Sequence, residues 1–151
     1  LVETNCQTDF VARGEDFRAF VDDTALQIAS MSPEYVRRED IPAEEISRQQ
    51  QIFTAQIQEE DVKNGKNRPE SAIAKIVEGK LNKWMQEGCL MEQPSIRNEE
   101  GKTIQQLADE LSAKTGEKIA VRRFVRYELG EGIEKKQNDL AAEVAETLKA
   151  S

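Results

Sequence analysis

Two helical patterns separated by a short run of helix-breaking residues constrain the fold of this chain more than any other feature. The first pattern runs from Pro42 to about Val62, and its apolar positions are sparse among glutamine and glutamate. Residues 64–69 interrupt it, and a second, stronger apolar stripe continues to about Glu87. Two helices joined by so short a turn pack antiparallel. We therefore expect residues 43–87 to form a helical hairpin.

A further amphipathic pattern lies near the start of the chain. Glu15 and Asp16 lead into it, and Pro33 ends it because the residue before a proline resists helical geometry. Its apolar positions recur at spacings of three and four residues, which predicts a helix with one buried face. These positions are Phe17, Phe20, Val21, Thr24, Ala25 and Ile28.

The remaining regular elements are one more helix and two strands. Thr103 and Gln106 have the spacing of a capping box, which predicts a helix that stops at Gly116. Residues 1–6 and 119–129 read as strands, the second of them ended by glycines. Arg123 breaks the apolar alternation of the second strand. Either both faces of that strand are partly covered, or a bulge lies near Arg123.

These elements predict an α+β fold, in which a small antiparallel sheet is covered by helices and an antiparallel helical hairpin projects from it. Residues 1–42 and 88–132 form the α+β core, and residues 43–87 form the inserted hairpin. Residues 133–151 form a C-terminal helix. Because a bare two-stranded sheet is marginal in water, we expect preceding residues or a second subunit to complete the sheet.

Composition excludes several classes of function. The net charge of −8 argues against a nucleic-acid groove, and the arginines at 122, 123 and 126 are expected to pair with carboxylates or to snorkel. The chain has no histidine, which removes the commonest general base and metal ligand. No apolar run approaches the roughly 20 residues of a membrane span. We therefore expect no enzyme, no cofactor and no bound metal.

The two cysteines also lack the spacing of a metal site. Cys6 and Cys89 can form one disulfide, or both can stay reduced, and we favour the reduced form that a cytosol or organelle matrix maintains. Neither cysteine lies in a motif typical of nucleophilic catalysis. The thiols therefore give no sign of covalent chemistry.

An aromatic residue beside a carboxylate follows the first strand, in the segment from Asn5 to Arg13. Thr8 is placed to cap the turn through its side-chain oxygen. In one interpretation Phe10 is a core residue and Asp9 a helix cap. In the other, the turn holds both side chains out toward a partner. The residues alone favour the first interpretation.

The surrounding residues favour the second interpretation, in which the turn faces a partner, because they resemble a known family. The run Thr8-Asp9-Phe10-Val11 closely resembles the Thr-Asp-Phe-Val signature of elongation factor Ts, the guanine-nucleotide exchange factor for elongation factor Tu. Further segments resemble the same family and occur in the same order. They are residues 33–42, 75–84, 89–94, 121–124 and 128–132.

The resemblance implies a function without bond chemistry. The signature is expected to enter the nucleotide-binding domain of elongation factor Tu, beside its magnesium and phosphate site, and to promote GDP release. Phe10 would be a wedge, Asp9 would disturb the surroundings of the magnesium, and Thr8 and Val11 would hold the turn in shape. The expected partners are GDP-bound and nucleotide-free elongation factor Tu, together with a second copy of the chain in a homodimer. No nucleic acid and no membrane are expected.

The resemblance also implies a short form of the family, with one half-core and without the small N-terminal helical module. Its location would be the bacterial cytoplasm, or a chloroplast or mitochondrial matrix. The hairpin resembles the coiled-coil element of the family. The thin apolar stripe of the hairpin and the many charged helix faces motivate a second hypothesis, in which the chain is a scaffolding or oligomerisation module that acts through the hairpin, by way of Ile57 or Ile73.

Overall fold

The computed structural model describes residues 1–132, which form a mostly helical unit with one small sheet. Short 3-10 helices at Arg38–Asp40 and Leu90–Glu92 flank the two longest helices. The α+β class is confirmed, and the expected C-terminal helix of residues 133–151 lies outside the described residues. The main elements are β1 (Val2–Asn5), α1 (Asp9–Ala12), α2 (Glu15–Met31), α3 (Ala43–Lys63), α4 (Glu70–Gly88), α5 (Ile104–Thr115) and β2 (Ala120–Phe124).

The helices begin and end where local chemistry requires it. The hydroxyl of Thr103 accepts a hydrogen bond from the backbone N–H of Gln106 at 3.2 Å, and the Gln106 side chain accepts one from the N–H of Thr103 at 2.9 Å. This is the predicted capping box. Helix α5 ends at Gly116, whose φ of 71° lies in the left-handed region that favours glycine. The predicted bounds of α2 to α5 agree closely with the observed ones, whereas α1 lies in a segment that the sequence predicts only as a turn.

Strands β1 and β2 pair antiparallel, and their register shifts once. Glu3 faces Arg123 and Thr4 faces Val121, so Arg122 is an extra residue in β2. The predicted bulge near Arg123 is confirmed. The bulge brings two arginines to one carboxylate. The guanidinium groups of Arg122 and Arg123 donate to Glu3 at 2.9 and 2.6 Å, so their predicted pairing with a carboxylate is also confirmed.

The prediction that the second strand reaches residue 129 is wrong. Strand β2 ends at Phe124, which pairs with Val2 at the start of β1. One further backbone hydrogen bond joins the N–H of Val125 to the carbonyl of Leu1 at 2.8 Å. Beyond that point β2 has no partner strand within the described range, and Leu129 is fully exposed. Alternating apolar residues do not make a strand where no neighbour can accept their hydrogen bonds.

The hydrophobic core lies where α2, α5 and the sheet meet. Ala108 and Val121 have no solvent exposure, and Ile104 is 1% exposed. Burial of this kind supplies the main driving force for folding, at about 25 cal/mol per Å² of apolar surface. The buried cluster contains Phe17, Phe20, Ile28, Val36, Leu90, Met91, Ile104, Ala108, Leu111, Ile119 and Val121.

Helices α3 and α4 pack against each other and are joined by residues 64–69. Their buried apolar side chains are Ile57 and Val77. Near the connection, the buried carboxylate of Asp61 lies 3.4 Å from Nε of Arg68. The Asp61 carbonyl also accepts a hydrogen bond from the N–H of Lys66 at 2.9 Å. These contacts close the hairpin at its breaker residues, as the sequence predicts.

A buried polar residue ties α2 to the connector after α4. The apolar stripe predicted for α2 includes Ala25, but Ala25 is exposed and Gln27 is fully buried instead. Its amide nitrogen donates to the Gln93 side chain at 3.1 Å and to the Pro94 carbonyl at 3.2 Å, and its oxygen accepts from the N–H of Ile96 at 2.9 Å. Periodicity missed Gln27 because its partners lie far away in the sequence.

We expect Gln27→Leu to lower the free energy of unfolding by roughly 2 kcal/mol, because the N–H of Ile96, the buried Gln93 side-chain oxygen and the Pro94 carbonyl each lose a partner. Urea unfolding followed by circular dichroism measures this change. Gln86→Leu, on the exposed side of α4, is the matched control and should change the free energy by about 0.5 kcal/mol at most. Equal effects of the two variants would contradict a structural role for the Gln27 network.

Candidate functional site

The four-residue helix α1 lies directly after β1 and carries the Asp9-Phe10 pair. Thr8 is its N-cap, with extended backbone angles, and the Thr8 hydroxyl accepts a hydrogen bond from the N–H of Val11 at 3.3 Å. The N–H of Gly14 donates to the Val11 carbonyl at 2.9 Å. A Cβ at position 14 would lie 3.1 Å from that carbonyl oxygen, which is a tight contact. The segment is therefore closed at both ends and has little spare room.

The ring of Phe10 points away from the protein and is 85% exposed. The interpretation that Phe10 is a core residue is therefore wrong. Its neighbours Val11 and Ala12 are partly buried and pack against the hydrophobic core. Because these two residues hold α1 against the core, the aromatic ring beside them is displayed on the surface. Water-exposed aromatic rings of this size are available for burial by a partner.

Asp9 also faces solvent and does not serve as the helix cap, since Thr8 does. Its carboxylate lies 3.1 Å from the guanidinium of Arg13, one helical turn later. Both side chains are more than three quarters exposed, at 79% for Asp9 and 76% for Arg13. Surface ion pairs of this kind contribute about 1 kcal/mol or less. Asp9 is therefore a charge that a partner can reach and redirect at low cost.

A carboxylate that sequence reasoning missed holds the start of the turn. One oxygen of Glu117 accepts hydrogen bonds from the backbone N–H groups of Gln7 and Thr8, at 2.8 and 2.9 Å. The other accepts from the Thr8 hydroxyl at 2.5 Å. The hydrogen bond from the Thr8 hydroxyl, with the two backbone bonds, lowers the pKa of Glu117 below its ordinary value of 4.5. The Glu117 carboxylate thus joins the segment after β1 to the segment between α5 and β2.

One signal in the sequence could have pointed to Glu117. If the predicted strands 1–6 and 119–129 pair antiparallel, the residues just after the first lie beside the residues just before the second. This argument places position 117 next to positions 7 and 8. The argument predicts which segments are neighbours but not which side chains touch. The carboxylate that reaches the turn depends on the bulge and on the end of α5.

The described residues show little sign of covalent or metal chemistry. Cys6 and Cys89 are both free, so the alternative of a disulfide is wrong. Burial raises the pKa of the Cys89 thiol to about 11, which keeps it protonated and unreactive at neutral pH. Residues 1–132 contain no group of three or more Cys, Asp or Glu placed to hold a metal ion. Within the same range, no helix has the length and apolar character needed to cross a membrane.

A second surface feature lies on the hairpin. A groove of about 500 Å³ runs between α3 and α4. Ile73 and Leu81, which are half-buried, line its apolar side, and Gln50 and Thr54 line its polar side. Ile57 is 1% exposed and lies inside the hairpin, so of the two residues named for the second hypothesis only Ile73 is within reach of another molecule.

The lowered pKa of Glu117 predicts how the turn responds to acid. A carboxyl group whose pKa is depressed in the folded state stabilises that state above its ordinary pKa, and the contribution disappears as the pH falls through the depressed value. We expect the amide NMR signals of Gln7 and Thr8 to titrate with a midpoint below 4.5. Glu117→Gln should abolish this transition. A midpoint at or above 4.5 would contradict the anchoring of the turn by an ionised carboxylate.

Comparison with known proteins assigns the family. A family model described as Elongation factor TS matches residues 21–131. The chain is 51% identical over 150 residues to elongation factor Ts of Desulforamulus reducens, an alignment that covers 99% of this chain and 66% of the relative. It is 52% identical over 145 residues to elongation factor Ts of Geobacter sulfurreducens, covering 96% of the chain and 64% of the relative.

A third curated relative, elongation factor Ts of Myxococcus xanthus, is 45% identical over 148 residues, which cover 98% of the chain and 65% of that protein. The chain thus spans slightly less than two thirds of the length of these curated relatives. The family model covers most of the chain, and the alignments extend over nearly all of it. The chain belongs to the elongation factor Ts family.

Proposed function

We propose that this protein is a guanine-nucleotide exchange factor that promotes GDP release from elongation factor Tu during translation elongation. The observation that carries the proposal is the exposed ring of Phe10 on a turn that the rest of the protein holds in place. Membership of the elongation factor Ts family supports the choice of partner. Because the relatives come from bacteria, the proposal places the protein in the bacterial cytoplasm.

The proposed mechanism is displacement of one set of contacts by another. Nucleotide-binding proteins hold a diphosphate largely through magnesium and through backbone N–H groups that cradle the phosphates. Phe10 enters beside this site and moves partner side chains, while the Asp9 carboxylate disturbs the surroundings of the magnesium. Thr8 and Val11 keep the turn in shape. Small shifts of these contacts remove much of the affinity for GDP, since such hydrogen bonds weaken steeply with distance and angle.

The proposed reaction involves no covalent step. The exchange protein binds nucleotide-free elongation factor Tu more tightly than the GDP-bound form. GDP and the exchange protein therefore lower each other's affinity for elongation factor Tu by the same ratio. GDP leaves from a short-lived ternary complex, and GTP then expels the exchange factor. A turn that is already ordered suits this role, because ordering a flexible loop during binding would cost affinity.

The division of the chain proposed above is also supported by its contacts. The core cluster draws its buried residues from positions 17–36 and 90–121. The buried apolar residues of the hairpin, Ile57 and Val77, are not among them. We therefore retain residues 1–42 and 88–132 as the α+β core and residues 43–87 as an inserted hairpin.

We expect Phe10→Ala to slow the release of fluorescent GDP from elongation factor Tu by at least roughly tenfold, because buried aromatic anchors dominate interface energetics. Its circular dichroism and unfolding midpoint should match those of the unchanged protein, since the ring is 85% exposed. Tyr127→Ala is the matched control. It removes a ring that is 80% exposed beyond the opposite end of the sheet, and it should leave release unchanged.

Two outcomes would contradict the proposed function. The first is a full-length protein that does not accelerate GDP release at any concentration. The second is a Phe10→Ala variant as active as the unchanged protein. If the two aromatic variants lose activity equally, the ring of Phe10 has no special position in the interface.

The homodimer and the second hypothesis, a scaffolding hairpin, stay predictions. If a second copy of the chain occupies the hairpin groove, Ile73→Ser should convert a dimer to a monomer in sedimentation, because Ile73 lines the groove and is half-buried. Val62→Ser, at an 82% exposed position near the end of α3, is the control and should leave the dimer intact. A protein that is monomeric throughout would contradict this prediction and leave the exchange function untouched.

A further inference from the structure

We infer that Glu117 is a positioning residue for nucleotide exchange, which acts by fixing the turn that displays Phe10. The inference rests on the proposed function, because it assigns Glu117 a part in the same insertion step. Glu117 itself lies outside the Thr-Asp-Phe-Val turn and need not touch the partner. Its effect passes through Thr8 to helix α1, and from α1 to the ring.

The hydrogen bonds of Glu117 leave the turn little freedom. Both carboxylate oxygens are used, one by the N–H groups of Gln7 and Thr8 and the other by the Thr8 hydroxyl. Because the carboxylate accepts from two directions, it fixes both the orientation of the turn and its distance from Glu117. Hydrogen bonds to ionised groups are also stronger than those between neutral groups. The connection between β1 and α1 therefore has a fixed geometry on the surface of the protein.

The Thr8 hydroxyl transmits this geometry to α1. Because its proton is donated to Glu117, its lone pairs are left to accept from the N–H of Val11, the bond that caps the helix. Phe10 lies between Thr8 and Val11. A change in the direction of the Thr8 hydroxyl thus changes the start of the helix on which the ring is carried.

Glu117 can serve as an anchor because its own backbone is attached to the core. The N–H of Glu117 donates to the Thr115 hydroxyl at 3.4 Å, and that hydroxyl donates to the Leu111 carbonyl at 2.9 Å. Two residues later, the N–H of Ile119 donates to the Ser112 hydroxyl at 2.9 Å. Leu111 and Ile119 belong to the buried cluster. The turn therefore takes its position from the end of α5 as well as from β1.

A test must separate positioning from a simple contribution to stability. The measurement is the maximal rate of GDP release from elongation factor Tu at saturating full-length protein, well below the unfolding temperature of every variant. We expect Glu117→Ala to lower this rate by about tenfold, in line with the loss of charge-assisted hydrogen bonds. Glu3→Gln is the matched control. It replaces by a neutral amide the carboxylate that joins β1 to β2, and it does not touch the turn. The release rate should stay unchanged.

Two further variants sharpen the test. Glu117→Gln should retain most of the rate, because an amide oxygen can accept from both backbone N–H groups while its nitrogen donates to the Thr8 hydroxyl. In the Phe10→Ala background, Glu117→Ala should cause no additional loss, because a residue that acts through the ring has no effect once the ring is gone.

The outcomes distinguish this inference from the proposed function. If Phe10→Ala slows release and Glu117→Ala does not, Glu117 has no positioning role and the exchange function stands. Additive losses in the double variant, or equal losses in Glu117→Ala and Glu3→Gln, also overturn the positioning role. If the unchanged protein fails to accelerate release, the exchange function is wrong and the inference falls with it.

Discussion

The pairing of β1 with β2 is the contact on which the rest of the structure depends. It joins the beginning of the described chain to its last regular element, and it brings the turn within reach of Glu117. Since β1 leads directly into α1 and β2 follows directly from α5, pairing the strands brings the turn to the end of α5. Loop closure over most of the chain costs entropy, and the buried cluster beneath the sheet offsets that cost.

The turn combines an immobile base with an exposed tip. Glu117, Thr8 and the partly buried Val11 hold the base by hydrogen bonds and packing. The tip leaves an aromatic ring in water, where it gains nothing from the fold of its own chain. The protein buries its other phenylalanines at least in part and leaves this one exposed on a closed turn, which supports the proposal that Phe10 inserts into another molecule.

Much of the fold could be predicted from the sequence, because its helices are specified locally. Prolines, glycines and a capping box mark helix ends within a few residues of the apolar stripes, so α2 to α5 lie where periodicity places them. Features that depend on distant partners could not be predicted. The end of β2 is set by where β1 begins, Gln27 is buried because its partners lie beyond residue 90, and Glu117 meets the turn only in the folded chain. The exposure of Phe10 could be predicted only from the family resemblance, because the local pattern alone favours a core position.

The bulge in β2 marks one register of the two strands. The side chains of neighbouring residues in a regular strand point to opposite faces of the sheet. Because of the extra residue, Arg122 and Arg123 both donate hydrogen bonds to the carboxylate of Glu3. If β1 slid by two residues, its side chains would keep their faces, but α1 would travel about 7 Å along the sheet and leave Glu117 behind. The packing of Val2 and Val121 against the core opposes that slide, and the surface ion pair on Glu3 adds little to it. The place of an aromatic ring at one end of the sheet thus follows from apolar side chains buried along the rest of it.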